Sequence, residues 1–164
     1  MLRRLSDWVL PEDNPAGVVY GLIMIGAVMA AESGLHDTYL ETAGSAVLTV
    51  GVYWLAHAYA DLLGRRLAVR EHLTGRALLR ALAHDWAIVR GATLPLLALL
   101  VAWAAGAAQT TAVSAAVWTC AVSLVAFELL AGIRAKSTPR ELVLEGCVGT
   151  VMGLSIVALR AILH

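Results

Sequence analysis

The sequence predicts an all-α integral membrane protein with five transmembrane helices and a basic amphipathic cytoplasmic helix between the second and the third. Three observations predict it. First, 60% of the 164 residues are hydrophobic and only 15% are charged, with a mean hydropathy of +0.77, too apolar for a soluble domain of this length. Second, the apolar residues fall in runs, and a hydrocarbon core about 30 Å thick needs about 20 of them per helix. Third, the Lys and Arg residues, Arg160 excepted, fall at the ends of these runs that an N-inside layout places on one side of the membrane. The runs leave no room for a separate soluble unit, so residues 1–164 read as one transmembrane domain.

The elements follow in order. Residues 1–14, "MLRRLSDWVLPEDN", do not make a cleaved export signal, because Asp7, Pro11, Glu12 and Asp13 interrupt them before any apolar region begins. Leu2, Leu5, Trp8 and Val9 suit a short interfacial segment. Asn14 is placed to cap a first helix over Pro15–Ala31, with Pro15 in its first turn. A second helix runs from Thr42 to Ala60 without formal charge when His57 is neutral. Gly91 to Phe127 contains no charged residue, enough for two crossings broken at "GAAQTT" (Gly106 to Thr111). Pro95 lies in the first of these, where a kink or local opening is expected because its ring nitrogen cannot donate. The last helix spans Leu142 to Leu163 and carries Glu145 and Arg160. "TYLE" (Thr38 to Glu41) and "TPRE" (Thr138 to Glu141) are capping boxes, which gives Glu41 and Glu141 structural work at helix starts.

Lys and Arg are retained on the cytoplasmic side of short loops. With the N-terminus inside, Arg3, Arg4, Arg65, Arg66, Arg70, Arg76, Arg80, Arg90, Arg134, Lys136 and Arg140 fall inside, and Arg160 alone falls outside. The expected setting is a bacterial inner membrane with the C-terminus outside. Glu32, Asp37 and Glu41 form an acidic outer rim that would concentrate cations. Cys120 and Cys147 fall in membrane helices without CxxC spacing and read as buried small hydrophobes.

Residues 65–90 differ in kind. Arg76, Arg80 and His84 recur every four residues, opposite a stripe of Leu78, Leu82, Trp86 and Val89. The segment reads as a cytoplasmic helix on the inner leaflet, or as a stalk running on into helix 3. Arg66, Arg70, Arg76 and Arg80 would attract anionic lipid headgroups, at about 1 kcal/mol per basic side chain near the surface, or a protein partner. Nucleic acid is a poor candidate, since no binding fold accompanies the charge.

The chemistry-bearing residues are the polar ones inside the helices. At about 1.5 Å per residue, His57 lies roughly 12 Å outward of Arg65, and Asp61 about half that. Glu128 lies roughly 9 Å from Arg134, and Glu145 about 7 Å from Arg140. His57, Glu128 and Glu145 therefore share one depth in the inner leaflet, where Tyr20 could join them. Ser45, Thr49, Tyr53, His57 and Asp61 follow one another at intervals of four, as a ridge on helix 2. A buried acid costs about 2.5 to 3.5 kcal/mol on insertion scales, and intramembrane ionisable groups usually mark an ion or proton route. The bland alternative has the acids meeting inward-reaching arginines and the hydroxyls bonding to their own helix.

These residues predict a small homo-oligomeric channel or transporter for protons or small cations, with His57, Asp61, Glu128, Glu145, Tyr53, Thr49 and Tyr20 on its route. Five helices can hardly enclose a water path alone, hence the oligomer. No cofactor is expected. A divalent metal on His57, Glu128, Glu145 and Cys147 is a narrower idea, because ligand types suit but no tight motif sets their geometry. The alternative is a membrane-anchored interaction protein acting through the basic helix. A lipid-modifying enzyme ranks lower: the chain has no rhomboid-like GxSx motif, spaced aspartates, Hx4D pair or CxxC. "GVVYG" (Gly17 to Gly21) and "GTVMG" (Gly149 to Gly153) match the small-residue pattern for close helix packing, within one subunit or between two.

Overall fold

The computed structural model describes residues 14–32, 38–69 and 74–163. They form six helices: α1 (Pro15–Ala31), α2 (Tyr39–Val69), α3 (Gly75–His84), α4 (Trp86–Ala104), α5 (Gln109–Ala135) and α6 (Pro139–Leu163). The interfacial segment expected at residues 1–14, Asn14 excepted, and the positions of Asp37 and Arg70 lie outside the described residues.

Four stretches are long and apolar enough to cross a membrane: Tyr39–Ala68, Gly75–Ala104, Gln109–Ala135 and Pro139–Leu163. The first expected crossing, α1, is 17 residues long, about 25 Å at 1.5 Å per residue, shorter than a typical hydrocarbon core. Large apolar side chains project outward from the long helices, among them Leu48, Val101, Val122, Val151 and Ile162, each more than 60% exposed. An exposed apolar surface spread over every long helix is what lipid would cover. The chain is thus a multi-pass helical membrane protein.

Short α1 is the centre of the bundle. It packs against α2, α4, α5 and α6, and Leu22, Ile25 and Met29 on it are almost wholly buried. Its seam with α4 is the tightest, because neither helix carries a β-carbon at the crossing. A β-carbon on Gly21 would strike the Ile88 carbonyl, and one on Gly91 would strike the Val18 carbonyl. Backbones this close gain dispersion and Cα–H···O contacts unavailable to larger residues. The α5–α6 seam works the same way, with Gly153 against Ala121 and Gly149 against Val125. Both glycine pairs noted in the sequence are therefore used inside one chain.

Local chemistry sets the ends. Asn14 Oδ1 accepts from the Gly17 amide at 2.8 Å and starts α1. The Thr38 amide donates to Glu41 at 2.7 Å, and the Thr138 amide donates to Glu141 at 2.6 Å, as the two capping boxes require. α4 and α5 separate at Gly106, whose φ of 75° suits glycine, and α5 ends on Lys136 in the left-handed region. α4 continues unbroken through Pro95. The interruption in this part of the chain falls at Asp85 instead, one residue between α3 and α4. α3 lies along the end of α2, with Leu62 and Ala58 packed on Ala77 and Ala81.

Candidate functional site

α1 is ringed incompletely. Its neighbours pack in the sequence α2 with α4, α4 with α5 and α5 with α6, while α2 and α6 share no comparable seam among the described residues. One side of α1 is left between them, and Tyr20, 44% exposed, stands on it. The sequence explains why α2 belongs at this edge. Its buried positions Thr42, Ala46, Val50, Ala58 and Leu62 form one ridge, and the polar ridge lies immediately beside it, one residue earlier at each step.

That polar ridge meets α1 at two places. At one end the Ser45 hydroxyl donates to Glu32 Oε1 at 3.0 Å. At the other, the rings of Tyr20 and His57 lie 5.4 Å apart, and Tyr53 adds a third ring 5.9 Å from His57. The two meeting points are twelve residues apart on each helix, 20 to 32 and 45 to 57, so the seam between them runs roughly 18 Å. Thr49 lies between, half-buried, its hydroxyl donating to the Ser45 carbonyl at 2.7 Å. Asp61, beyond His57, is held by Arg65 at 3.0 Å, both side chains 42% exposed. The arrangement sets an imidazole between two phenols beside a face of α1 that the other described helices cover only in part. Each of those groups can donate and accept a hydrogen bond, which is what handing on a proton requires.

The two glutamates are elsewhere. Glu128 and Glu145 both lie in the α5–α6 seam, each laid over a glycine of the facing helix: Glu128 over Gly149, and Glu145 over Gly132. Glu145 Oε1 accepts from the Ser137 hydroxyl at 3.0 Å, while its Oε2 is buried without a hydrogen-bond partner among the described residues. His57 thus belongs to the α1–α2 seam and the glutamates to the α5–α6 seam. Among the described residues no three His, Cys, Asp or Glu side chains come together as a metal site. Cys147, expected to be buried, is exposed on α6, whereas Cys120 is buried; position 147 falls on the side of α6 that α5 does not cover.

Of the residues expected to form an acidic outer rim, Glu32 bonds Ser45 and Glu41 caps α2. Arg160 stands beside them: its guanidinium donates to the carbonyls of Met29 and Glu32 at the end of α1, at 3.1 and 3.3 Å, and to Thr110 at 3.4 Å. It closes the last turn of α1 onto α6 and α5.

The sequence reading missed Asp85. It is 1% exposed, and its Oδ1 accepts from Asn14 Nδ2 at 3.2 Å, which also donates to the His84 carbonyl. The start of α1 is thereby tied to the α3–α4 break. The available signal was a lone acid between His84 and Trp86, on the flank of a stripe of otherwise apolar positions. Of the basic residues expected to meet lipid, Arg76 and Arg80 lie exposed on α3 and Arg66 is half-buried on α2. Arg65, Arg80 and His84 line a cavity of about 400 Å³ with Leu62 and Ala77.

Comparison of the chain with family models, with curated proteins and with solved structures gives no match.

Proposed function

We propose that the protein conducts protons or small cations through the seam between α1 and α2, as a homo-oligomer in a bacterial inner membrane with its N-terminus on the cytoplasmic side. The observation that carries this reading is the contact of His57 with Tyr20 and Tyr53 beside a face of α1 that the other described helices cover only in part. A second copy laid on that face would close the seam laterally and keep its hydroxyls and imidazole away from lipid, where polar groups are costly. The route would enter past Glu32 and Ser45, follow Thr49 and Tyr53 to His57, and leave by Asp61. In this reading Glu128 and Glu145 hold α5 to α6 and are not on the route.

Cysteine accessibility tests the water path. In a background with Cys120 and Cys147 replaced by alanine, Thr49→Cys should react with a water-soluble thiol reagent in intact membranes, and Leu48→Cys, on the lipid-facing side, should not. Equal reactivity at the two positions would remove the seam as a route.

A further inference from the structure

A second site lies on the opposite edge of α2, where α2 runs antiparallel to α3 and α4. Three contacts set the register: Leu62 against Ala77 and Ala81, Trp54 Nε1 donating to the Leu82 carbonyl at 3.0 Å, and Tyr39 stacked on Trp103 at 5.9 Å. Two cavities open along this line. The first, about 400 Å³, carries the basic groups Arg65, Arg80 and His84. The second, about 410 Å³, is almost wholly apolar and is lined by residues including Val50, Gly51, Val89 and Leu96. Trp54 and Trp86, in edge-to-face contact at 5.1 Å, form the start of the apolar groove nearest the basic cavity.

We propose that this line is a binding site for one anionic phospholipid, its phosphate in the basic cavity and an acyl chain in the groove between α2 and α4. Polarity changes along the seam in the order a lipid needs: cationic, then aromatic, then aliphatic. Basic side chains at helix ends reach the headgroup region, which puts the basic cavity at headgroup level and the groove at acyl level. From His84 to Leu96 the chain rises roughly 18 Å, the scale of an acyl chain in one leaflet. Arg65 is partly neutralised by Asp61 at 3.0 Å. Arg80 therefore supplies the main charge for the phosphate, and His84 adds a hydrogen-bond donor. The site is separate from the α1–α2 seam and stands whether or not that seam conducts.

The test is thermal unfolding of the full chain in a neutral detergent, titrated separately with phosphatidylglycerol, phosphatidylcholine and inorganic phosphate. Phosphatidylglycerol should raise the unfolding temperature saturably and phosphatidylcholine should not. Arg80→Gln should weaken the phosphatidylglycerol effect about fivefold, the loss of one cation near a headgroup, and Arg80→Lys should largely restore it. Gly51→Leu places a side chain in open space within the groove; it should weaken the lipid effect without lowering the unfolding temperature of the lipid-free protein. Equal stabilisation by phosphatidylcholine would overturn the proposal. Full stabilisation by inorganic phosphate would reduce it to a free-anion site, and wild-type response in Arg80→Gln would remove the assignment.

Discussion

Glu145 on α6 lies directly over Gly132 on α5, so close that a β-carbon at 132 would overlap its carboxylate. One turn away the relation reverses, with Glu128 lying against Gly149. Two acids that sequence position alone assigns to a conduction route are seated in glycine notches between antiparallel helices, and Glu145 is fixed there by Ser137.

A structural role for this pair predicts unequal responses to substitution. Gly149→Leu must push α5 from α6, because the Val125 backbone is only 3.0 Å from where its β-carbon would lie; overpacking of this kind costs about 1–3 kcal/mol. Glu145→Gln keeps an oxygen that accepts from Ser137 and should change stability by less than about 1 kcal/mol. Unfolding midpoints in detergent measure both. A Glu145→Gln loss exceeding that of Gly149→Leu would show that the acid's charge, rather than its seat, matters there.

The α1–α4 crossing gives a second prediction. Gly21→Ala and Gly91→Ala each drive a methyl into a backbone carbonyl that cannot rotate away, so each should lower stability by about 1–3 kcal/mol. Gly44 and Gly51, mid-helix with nothing near their missing β-carbons, should respond oppositely: alanine there should stabilise by about 0.5–1 kcal/mol through helix propensity. The same unfolding measurement separates the pairs, and uniform behaviour of all four would show that the close crossing does not form.

What was legible in the sequence was whatever depends on neighbours in the chain. Asn14, Thr38 and Thr138 declare helix starts because a cap is made within three residues. The ridge from Ser45 to Asp61 is visible because helical period alone aligns it. Which helices share a seam was not legible. Residues at one depth on α2, α5 and α6 look equivalent until the packing of α1 separates them. Asp85 escaped for the same reason, as its partner Asn14 is 71 residues away. Helix α3 was foreseen as amphipathic, but its seat on Leu62 depends on a long-range contact that period does not reveal.

The most direct test of the account is the decay of an imposed pH gradient across proteoliposomes holding wild-type protein, His57→Ala, or the double variant Glu128→Gln/Glu145→Gln. The account predicts that wild type and the double glutamine variant dissipate the gradient alike, while His57→Ala slows it about tenfold, equivalent to a barrier about 1.4 kcal/mol higher. Unchanged decay in His57→Ala, or its loss in the glutamine variant alone, would contradict a route along α1 and α2.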